Sequence, residues 1–368
     1  MLAAQFKFSR FSPGPALFTL DVSLQVSPGI TILFGPSGAG KSTLLDCLAG
    51  LQTPQQGRIT IGEHLLFDAD TRSNLPPQAR RVAYVFQTLA LFPHLTAEEN
   101  VAYGLAGLPR DTRTARVREI LQAFAVEKLR RRKPSEISGG ERQRIALARS
   151  LVTQPRALLL DEPFIGLDAH IKSAVMDDLR AWNASRQIPI LLVTHNREEV
   201  SALGERVIAL DHGRIVSEGT PLEVLEAPRH RRLAQAAGFE NFLRGTVADL
   251  RELDGVMRIS LSGTPCEIEV PLGYASVGDA VCVAIRAGDI LLAVQPPHGL
   301  SARNVLEGKI VSLESRSTLV QARVSCAAGP SVEFLVHVTP SAVRELELTA
   351  GQRVWLVLKT HSCHLVEN

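Results

Sequence analysis

A glycine-rich segment near the N-terminus constrains the fold of this chain more than any other feature. Residues 35–43 read GPSGAGKST, and they lie between the apolar run GITILF (29–34) and a stretch with helical character. Glycines allow a loop to curl so that successive backbone N–H groups point at one anion, and the N-terminus of the following helix adds partial positive charge. A strand, a glycine loop and a helix in this order predict a phosphate-binding loop.

The residue types in this segment predict how a nucleotide would be held. Lys41 is expected to neutralise charge on the β- and γ-phosphates during catalysis, and Ser42 to ligate Mg²⁺. The whole loop is expected to line the nucleotide, through Gly35, Pro36, Ser37, Gly38, Ala39, Gly40, Lys41, Ser42 and Thr43.

Short apolar runs alternate with helical stretches over about residues 1–235, which is typical of a parallel α/β sheet. Functional loops are then expected at the carboxyl ends of the strands. Buried strands are predicted within 29–35, 156–163 and 188–195, helices starting at 41, 138 and 168, and a hairpin over 206–219.

Two further segments carry polar groups suited to phosphate chemistry. The strand ALLLDEP (157–163) ends in Asp161, suited to hold Mg²⁺, and Glu162, suited to activate water as a general base. Acidic residues at a strand end can also be merely solvated, but the upstream phosphate loop favours the catalytic interpretation.

In ISGGERQR (137–144), Ser138 and Glu141 predict a capping box. Such a helix start can be purely structural, or it can offer a second anion site.

Together these segments resemble the ATPase subunits of ABC transporters over about residues 1–235, and the resemblance implies an α/β P-loop domain with a helical subdomain. The signature of that family is Leu-Ser-Gly-Gly-Gln, from which ISGGE departs at Ile137 and Glu141. The resemblance implies a catalytic Q-loop residue at Gln87 that also contacts Mg²⁺, and a switch histidine at His195. It implies ATP and Mg²⁺ as ligands and a head-to-tail homodimer, in which one subunit completes the other's nucleotide site with Ser138, Gly139, Gly140 and the D-loop residue Asp168.

An aromatic side chain ahead of the phosphate loop is also implied, since it stacks on adenine in that family. Phe11 is the predicted residue, with Phe8 and Phe18 as alternatives. Residues 87–101 resemble the segment of importer ATPases that docks on membrane subunits.

Beyond about residue 240 the chain consists of short β-rich runs and glycine turns. Residues 276–292 resemble 349–365 at an offset of 73, and GTVADL (245–250) resembles GKIVSL (308–313). We therefore predict two small all-β barrels of the OB-like, Mop or TOBE type, over 240–294 and 297–368. A chance likeness between β segments is the alternative.

The segment SARNVLEGKI (301–310), together with residues 338–366, resembles the Mop domain, a small barrel that binds molybdate and tungstate. A tetrahedral dianion is bound by N–H groups, hydroxyls and cations. The predicted oxyanion site consists of Ser301, Arg303, Asn304 and Lys359. A barrel that only packs against its twin is the alternative.

The two resemblances imply the ATP-hydrolysing subunit of a molybdate or tungstate importer. It would lie on the cytoplasmic face of the inner membrane, bound to two permease subunits that are served by an oxyanion-binding receptor. A net charge of +2 gives no case for nucleic-acid binding, and no apolar run reaches the length of about 18 residues that a membrane span needs. The alternatives are an importer ATPase for sulfate, iron or sugar, a soluble ABC protein acting on DNA or ribosomes, a P-loop kinase, and an oxyanion sensor or store that would not need residues 1–235.

Overall fold

The computed structural model divides the chain after Val224, into units of residues 1–224 and 225–368. It describes residues 1–11, 17–226, 228, 230–316, 318–326 and 332–367. The sequence placed the end of the first domain near residue 235, beyond this division. Residues 225–235 belong to the second unit, and within it the Arg231 N–H donates to the Glu367 carbonyl at 2.9 Å, close to the C-terminus.

The first unit contains two sheets and six α-helices among its described residues. Its strands are β1 (Leu2–Phe11), β2 (Leu17–Val26), β3 (Gly29–Phe34), β4 (Gln56–Ile61), β5 (His64–Asp68), β6 (Ser73–Asn74), β7 (Val82–Val85), β8 (Ala157–Asp161), β9 (Pro189–Val193), β10 (Arg206–Asp211) and β11 (Arg214–Gly219). Its helices are α1 (Lys41–Ala49), α2 (Ala97–Ala102), α3 (Arg110–Ala123), α4 (Gly139–Leu151), α5 (Ala169–Arg186) and α6 (Arg197–Leu203).

The larger sheet has the order β11-β10-β3-β9-β8-β7, and all its neighbours are parallel except β10 and β11. The near-continuous apolar strands β3, β8 and β9 are buried, as their sequences predict. The predicted helix starts are confirmed, because α1 begins at Lys41 while Ser138 and Asp168 cap α4 and α5. The loops after β3, β8 and β9 therefore meet at one edge of the sheet.

A second, antiparallel sheet in this unit was not predicted. Its order is β2-β1-β4-β5-β6, and alternate side chains of β1 and β2 face the core beside α1. Within it, Arg10 of β1 pairs with Phe18 of β2. This sheet therefore brings two side chains from the start of the chain to the phosphate loop.

The second unit contains two antiparallel sheets of five strands each. Its strands are β12 (Asn241–Arg251), β13 (Val256–Leu261), β14 (Glu267–Pro271), β15 (Ala280–Ile285), β16 (Leu291–Ala293), β17 (Asn304–Arg316), β18 (Leu319–Cys326), β19 (Val332–Val338), β20 (Arg353–Leu358) and β21 (His364–Val366). Its helices are α7 (Arg231–Ala236) and α8 (Pro340–Glu345). No helix in the described part of the chain is long and apolar enough to cross a bilayer.

The predicted repeat corresponds to a repeated order of elements. β15 and β16 recur 73 positions later as β20 and β21, and Gly278 and Gly351 both have positive φ, at 92° and 88°. The sheets have the orders β14-β13-β12-β15-β21 and β16-β20-β17-β18-β19. The last strand of each repeat therefore pairs with the sheet of the other repeat, and the two sheets share one hydrophobic core.

Candidate active site

The phosphate loop is shaped by glycines at positions where a side chain would clash. Gly35 has φ 152°, and a Cβ on it would lie 2.1 Å from the Leu210 carbonyl oxygen. Gly40 has φ 106° and precedes α1, and a Cβ there would lie 2.6 Å from the ring of Phe18. Gly40 supplies no side-chain cap, so the first N–H groups of α1 remain available to an anion.

Lys41 lies under this loop and is almost fully buried. Its ammonium group donates to the carbonyls of Gly35 and Pro36, at 2.8 Å each. Burial lowers the pKa of Lys41, while the carboxylates of Glu162 and Asp161 act in the opposite direction. These contacts hold a cation between the loop and the two carboxylates.

A cavity of about 440 Å³ brings most of the predicted nucleotide site together. That volume suits a ligand of nucleotide size. Among the described residues, its lining consists of Arg10, Phe18, Ser37, Gly38, Gly40, Lys41, Ser42, Thr43, Gln87, Asp161, Glu162 and Val193. Of the loop residues predicted to contact nucleotide, Gly35, Pro36 and Ala39 lie outside this lining.

Three lining residues suit a magnesium ion. Ser42 offers a hydroxyl, Gln87 an amide oxygen and Asp161 a carboxylate, and hard oxygen ligands of this kind are those Mg²⁺ prefers. Among the described residues no group of three or more His, Cys, Asp or Glu side chains is suited to hold a metal. A set with one carboxylate still fits Mg²⁺, which keeps several waters and binds substrate phosphates as well.

Glu162 is held in an uncommon backbone conformation. Its φ is 47°, and its N–H donates to the Val193 carbonyl at 3.0 Å, which ties the ends of β8 and β9 together. Glu162 Oε1 lies 3.1 Å from His195 Nδ1. Residues whose backbone is held in a sparsely populated region of φ and ψ often occur at functional sites. The structure thus brings the predicted general base and the predicted switch histidine into contact.

Behind the carboxylates lies a polar contact that sequence reasoning missed. The Tyr84 hydroxyl donates to Asp161 Oδ2 at 3.4 Å, and it also contacts Asp46 of α1. Burial raises the pKa of Tyr84, and the charges of Asp161 and Asp46 act in the same direction. Tyr84 stands three residues before Gln87, but its spacing alone does not reveal a partner 77 positions away.

The predicted capping box at the start of α4 is confirmed. Glu141 N–H donates to Ser138 Oγ at 3.4 Å, and Ser138 N–H donates to Glu141 Oε2 at 2.8 Å. This backbone donor holds the pKa of Glu141 below its usual range. At Gly140 a Cβ would lie 2.2 Å from Ile171 of α5, so that glycine also permits close helix packing. The cavity lining excludes the four residues expected to act across a dimer: Ser138, Gly139, Gly140 and Asp168.

The three aromatic candidates for adenine stacking are placed differently. Phe8 is 5% exposed and belongs to the hydrophobic core, whereas Phe18 lines the cavity beside Gly40. The side chain of Phe11 lies outside the described residues, so its stacking role stays a prediction. Arg10, the strand partner of Phe18, also lines the cavity and was not foreseen.

The predicted oxyanion residues divide into two kinds. Ser301, Arg303 and Lys359 are exposed, and Arg303 and Lys359 flank the paired residues Asn304 and Leu358 at one end of β17 and β20. Asn304 is only 3% exposed. The prediction for it needs correction, because both ends of its amide are already bound to backbone groups.

Those backbone groups belong to Glu269, in the other repeat. Asn304 accepts from the Glu269 N–H at 2.6 Å and donates to the Glu269 carbonyl at 2.8 Å. Asn241, at the same point of the first repeat, makes the same pair of bonds with Leu335, at 2.6 and 2.9 Å. The two asparagines therefore clip the sheets together.

The parallel sheet, its phosphate loop and the paired carboxylates define a nucleotide-binding ATPase domain. Residues 19–165 match the family model described as ABC transporter, and residues 300–365 match the TOBE domain. The chain is 36% identical to the molybdenum import ATP-binding protein ModC of Paramagnetospirillum magneticum, over 93% of each chain. It is 37% identical to the molybdate/tungstate import ATP-binding protein WtpC of Pyrococcus abyssi, over 89% of this chain and 90% of that one.

A solved structure supports the same assignment. It is the dimer of an ATP-binding cassette in a post-hydrolysis state with ADP and phosphate, which matches 60% of this chain and 99% of its own at 29% identity and a TM-score of 0.52. The chain belongs to the family of ABC transporter ATP-binding proteins and has a TOBE domain in its C-terminal unit.

Proposed function

We propose that this protein is the ATP-hydrolysing subunit that drives import of molybdate or tungstate through a membrane permease. The observation that carries this proposal is the match to proteins named for molybdenum import over 93% of both chains. Such a match spans the β-rich unit as well as the ATPase unit. A cassette for sulfate, iron or sugar import would share the ATPase unit, so the substrate depends on the rest of the chain.

The residues of the site suit different roles in ATP hydrolysis. The loop N–H groups and Lys41 would bind the β- and γ-phosphates, while Ser42, Gln87 and Asp161 would hold Mg²⁺. The metal, when bound, supplies positive charge that offsets the negative charge of the phosphates. Glu162 would take a proton from the attacking water.

His195 would keep the Glu162 carboxylate aimed at that water. Its Nδ1 atom lies 3.1 Å from Glu162 Oε1, a hydrogen-bond distance, and its side chain is 65% exposed on the other sides. An exposed ring in this place can also meet the γ-phosphate. Orienting the Glu162 carboxylate and contacting the γ-phosphate both require the imidazole ring to stay beside Glu162.

The positions of the N-termini of α4 and α5, away from the cavity of their own chain, support a head-to-tail homodimer. The N-terminus of α4, with Ser138, and the cap of α5, with Asp168, do not line the cavity of their own chain. The related solved cassette is dimeric. In the proposed dimer these caps face the nucleotide of the partner subunit.

Residues 87–101 would form the surface that binds a permease, and hydrogen bonds hold this segment in place. Asn100 is fully buried and bonds the backbone of Phe92, Leu95 and Thr96. Arg149 of α4 donates to the carbonyls of Leu89 and Ala90, at 2.8 and 2.6 Å. A loop held this firmly could transmit motion between the ATPase and two permease subunits at the cytoplasmic face of the inner membrane, with an oxyanion receptor on the other side.

A test of the substrate uses cells that lack this gene. We expect molybdate uptake to be lost on deletion and restored by the wild-type gene but not by Lys41→Ala, because Lys41 is needed at the phosphates. Uptake of labelled molybdate and of sulfate would be measured in parallel. Unchanged molybdate uptake with lost sulfate uptake would overturn the proposed substrate.

An oxyanion site in the C-terminal unit is proposed as a regulatory site, and the repeat supports it. In the first repeat Glu240 precedes Asn241, and its carboxylate accepts from the Ala287 N–H at 2.9 Å. In the second repeat Arg303 precedes Asn304, so a cation stands where the first repeat has an anion. With Lys359 beside it, this place suits an external anion.

The matching experiment is calorimetry of the full chain with sodium molybdate and sodium tungstate. Arg303→Glu would restore the internal carboxylate of the first repeat, and we expect it to weaken molybdate binding by at least about tenfold, as for a lost charge-assisted contact. Arg316→Glu makes the same charge reversal at an exposed arginine paired with Glu314, so it is the matched control and should leave binding unchanged. Equal binding by wild type and Arg303→Glu would contradict the site.

A further inference from the structure

A buried set of side chains joins the first turn of α5 to the loop that holds His195. Lys172 Nζ lies 3.3 Å from Glu199 Oε1, and the Thr194 hydroxyl donates to Glu199 Oε2 at 2.6 Å. The side chains of Lys172 and Glu199 are 14% and 7% exposed, and Thr194 is 2% exposed. Charges that are shielded from water in this way interact more strongly than a surface pair does.

One end of this set lies at the cap of α5. The Lys172 N–H donates to the Asp168 carbonyl at 2.9 Å, and the Asp168 side chain accepts from the Ile171 N–H at 3.0 Å. Lys172 therefore belongs to the same helical turn as the D-loop residue. Any shift of this turn moves the ammonium group of Lys172 with it.

The other end lies at the switch histidine. Thr194 directly precedes His195, and its hydroxyl also accepts from the Asn196 N–H at 3.0 Å. The hydroxyl is thus held by Glu199 on one side and by the following backbone on the other. The backbone that carries His195 is fixed through this hydroxyl, whereas the ring itself is mostly exposed and meets Glu162.

We propose that Lys172, Glu199 and Thr194 are positioning residues that set the place of His195 according to the place of the α5 N-terminus. When that turn shifts, the buried Glu199 carboxylate follows Lys172, because separating a buried charge from its partner is costly. Thr194 then moves His195 relative to Glu162. A displacement of about 1 Å near reacting groups can cost about 10²-fold in rate.

This inference rests on the proposed role of His195. A positioning role of Lys172 and a purely structural role predict different results when His195 is also replaced. If Lys172 acts through His195, its removal has no effect on the rate once the histidine is gone. If the ion pair only stabilises the fold, the fold-losses in rate from replacing Lys172 and from replacing His195 multiply. A double-mutant cycle separates these cases.

The experiment measures ATP turnover, the KM for ATP and the melting temperature of the full chain. Lys172→Met is expected to lower kcat by about tenfold or more with little change in KM, and to add no further loss in a His195→Ala background. Thr194→Val should behave in the same way as Lys172→Met. Lys172→Arg and Thr194→Ser keep the cation and the hydroxyl, and they should recover most of the lost rate.

Arg180→Met is the matched control, since Arg180 lies on the same helix in an exposed pair with Asp177 and should leave kcat unchanged. The same fold-loss from Lys172→Met in both backgrounds would overturn this inference while His195 keeps its role. A lower melting temperature with unchanged kcat would overturn it as well. A full rate for His195→Ala would instead remove the proposed role of His195, and the positioning role with it.

Discussion

Replacing Glu162 by Gln is expected to reduce the rate of ATP hydrolysis by about 10²–10⁴-fold, the usual contribution of a general base, while ATP still binds. The amide keeps the size of the side chain and can still meet His195, now 3.1 Å from Glu162 Oε1. It has no charge with which to take a proton from water. The loop N–H groups and Lys41, which would bind the phosphates, are left in place by this substitution.

The measurement combines steady-state turnover with equilibrium binding of ATP. Glu198→Gln is the matched control, because it makes the same chemical change at an exposed glutamate of α6 and should retain the wild-type rate. Substantial turnover by Glu162→Gln would sink the assignment of this residue. Loss of ATP binding in the same variant would show instead that Glu162 holds the site together.

Replacing Arg80 by Ala is expected to lower the free energy of unfolding by about 3 kcal/mol, which places it among large effects of single substitutions. Arg80 is 1% exposed, and it donates to the carbonyls of Cys47 and Leu48 at 2.8 and 2.9 Å. It also donates to the Leu75 carbonyl and to Asn74 Oδ1. Alanine would remove this donor from all four acceptors, of which the Cys47 carbonyl keeps the Gly50 N–H at 3.2 Å, and it would open a cavity beside them.

The substitution should also raise the KM for ATP. The reason is that Cys47 and Leu48 lie in the last turn of α1, whose first residue is Lys41. Denaturant unfolding and the KM for ATP would be measured together. Arg81→Ala, at the exposed neighbouring arginine, is the control and should change stability by no more than about 0.5 kcal/mol. An Arg80→Ala protein as stable as this control would show that the buried guanidinium contributes nothing to the fold.

The parts of the fold that the sequence predicted are those with a strong local pattern. β3, β8 and β9 are near-continuous apolar runs because both faces of a parallel sheet are covered, and the caps Ser138 and Asp168 bond N–H groups only three residues away. The antiparallel sheet of β1 and β2 was missed although Leu2, Ala4, Phe6 and Phe8 alternate inward. Its partner strand β4 follows α1, so no local signal pairs them.

Within the candidate site, the motifs predicted which residue types lie together, but they did not predict the long-range contacts of these residues. Lys41, Ser42, Asp161 and Glu162 follow from motifs whose backbone geometry is local. Tyr84 reaches Asp161 across 77 positions, and Lys172 reaches Glu199 across 27. Asn304 shows the opposite error, since a motif suggested a ligand where tertiary structure uses the amide to clip two sheets together.

The sequence by itself determined that this chain binds nucleotide phosphates, because a glycine loop between a strand and a helix acts through its own backbone. It also determined the repeat, since the same turns recur at an offset of 73. Only the tertiary structure decided that the two repeats exchange their last strands, and that the Glu199 carboxylate joins Thr194, the residue before His195, to Lys172 of α5. The physical reason is that strand pairing and buried ion pairs depend on which segments meet in space, and no local pattern of residue types specifies those partners.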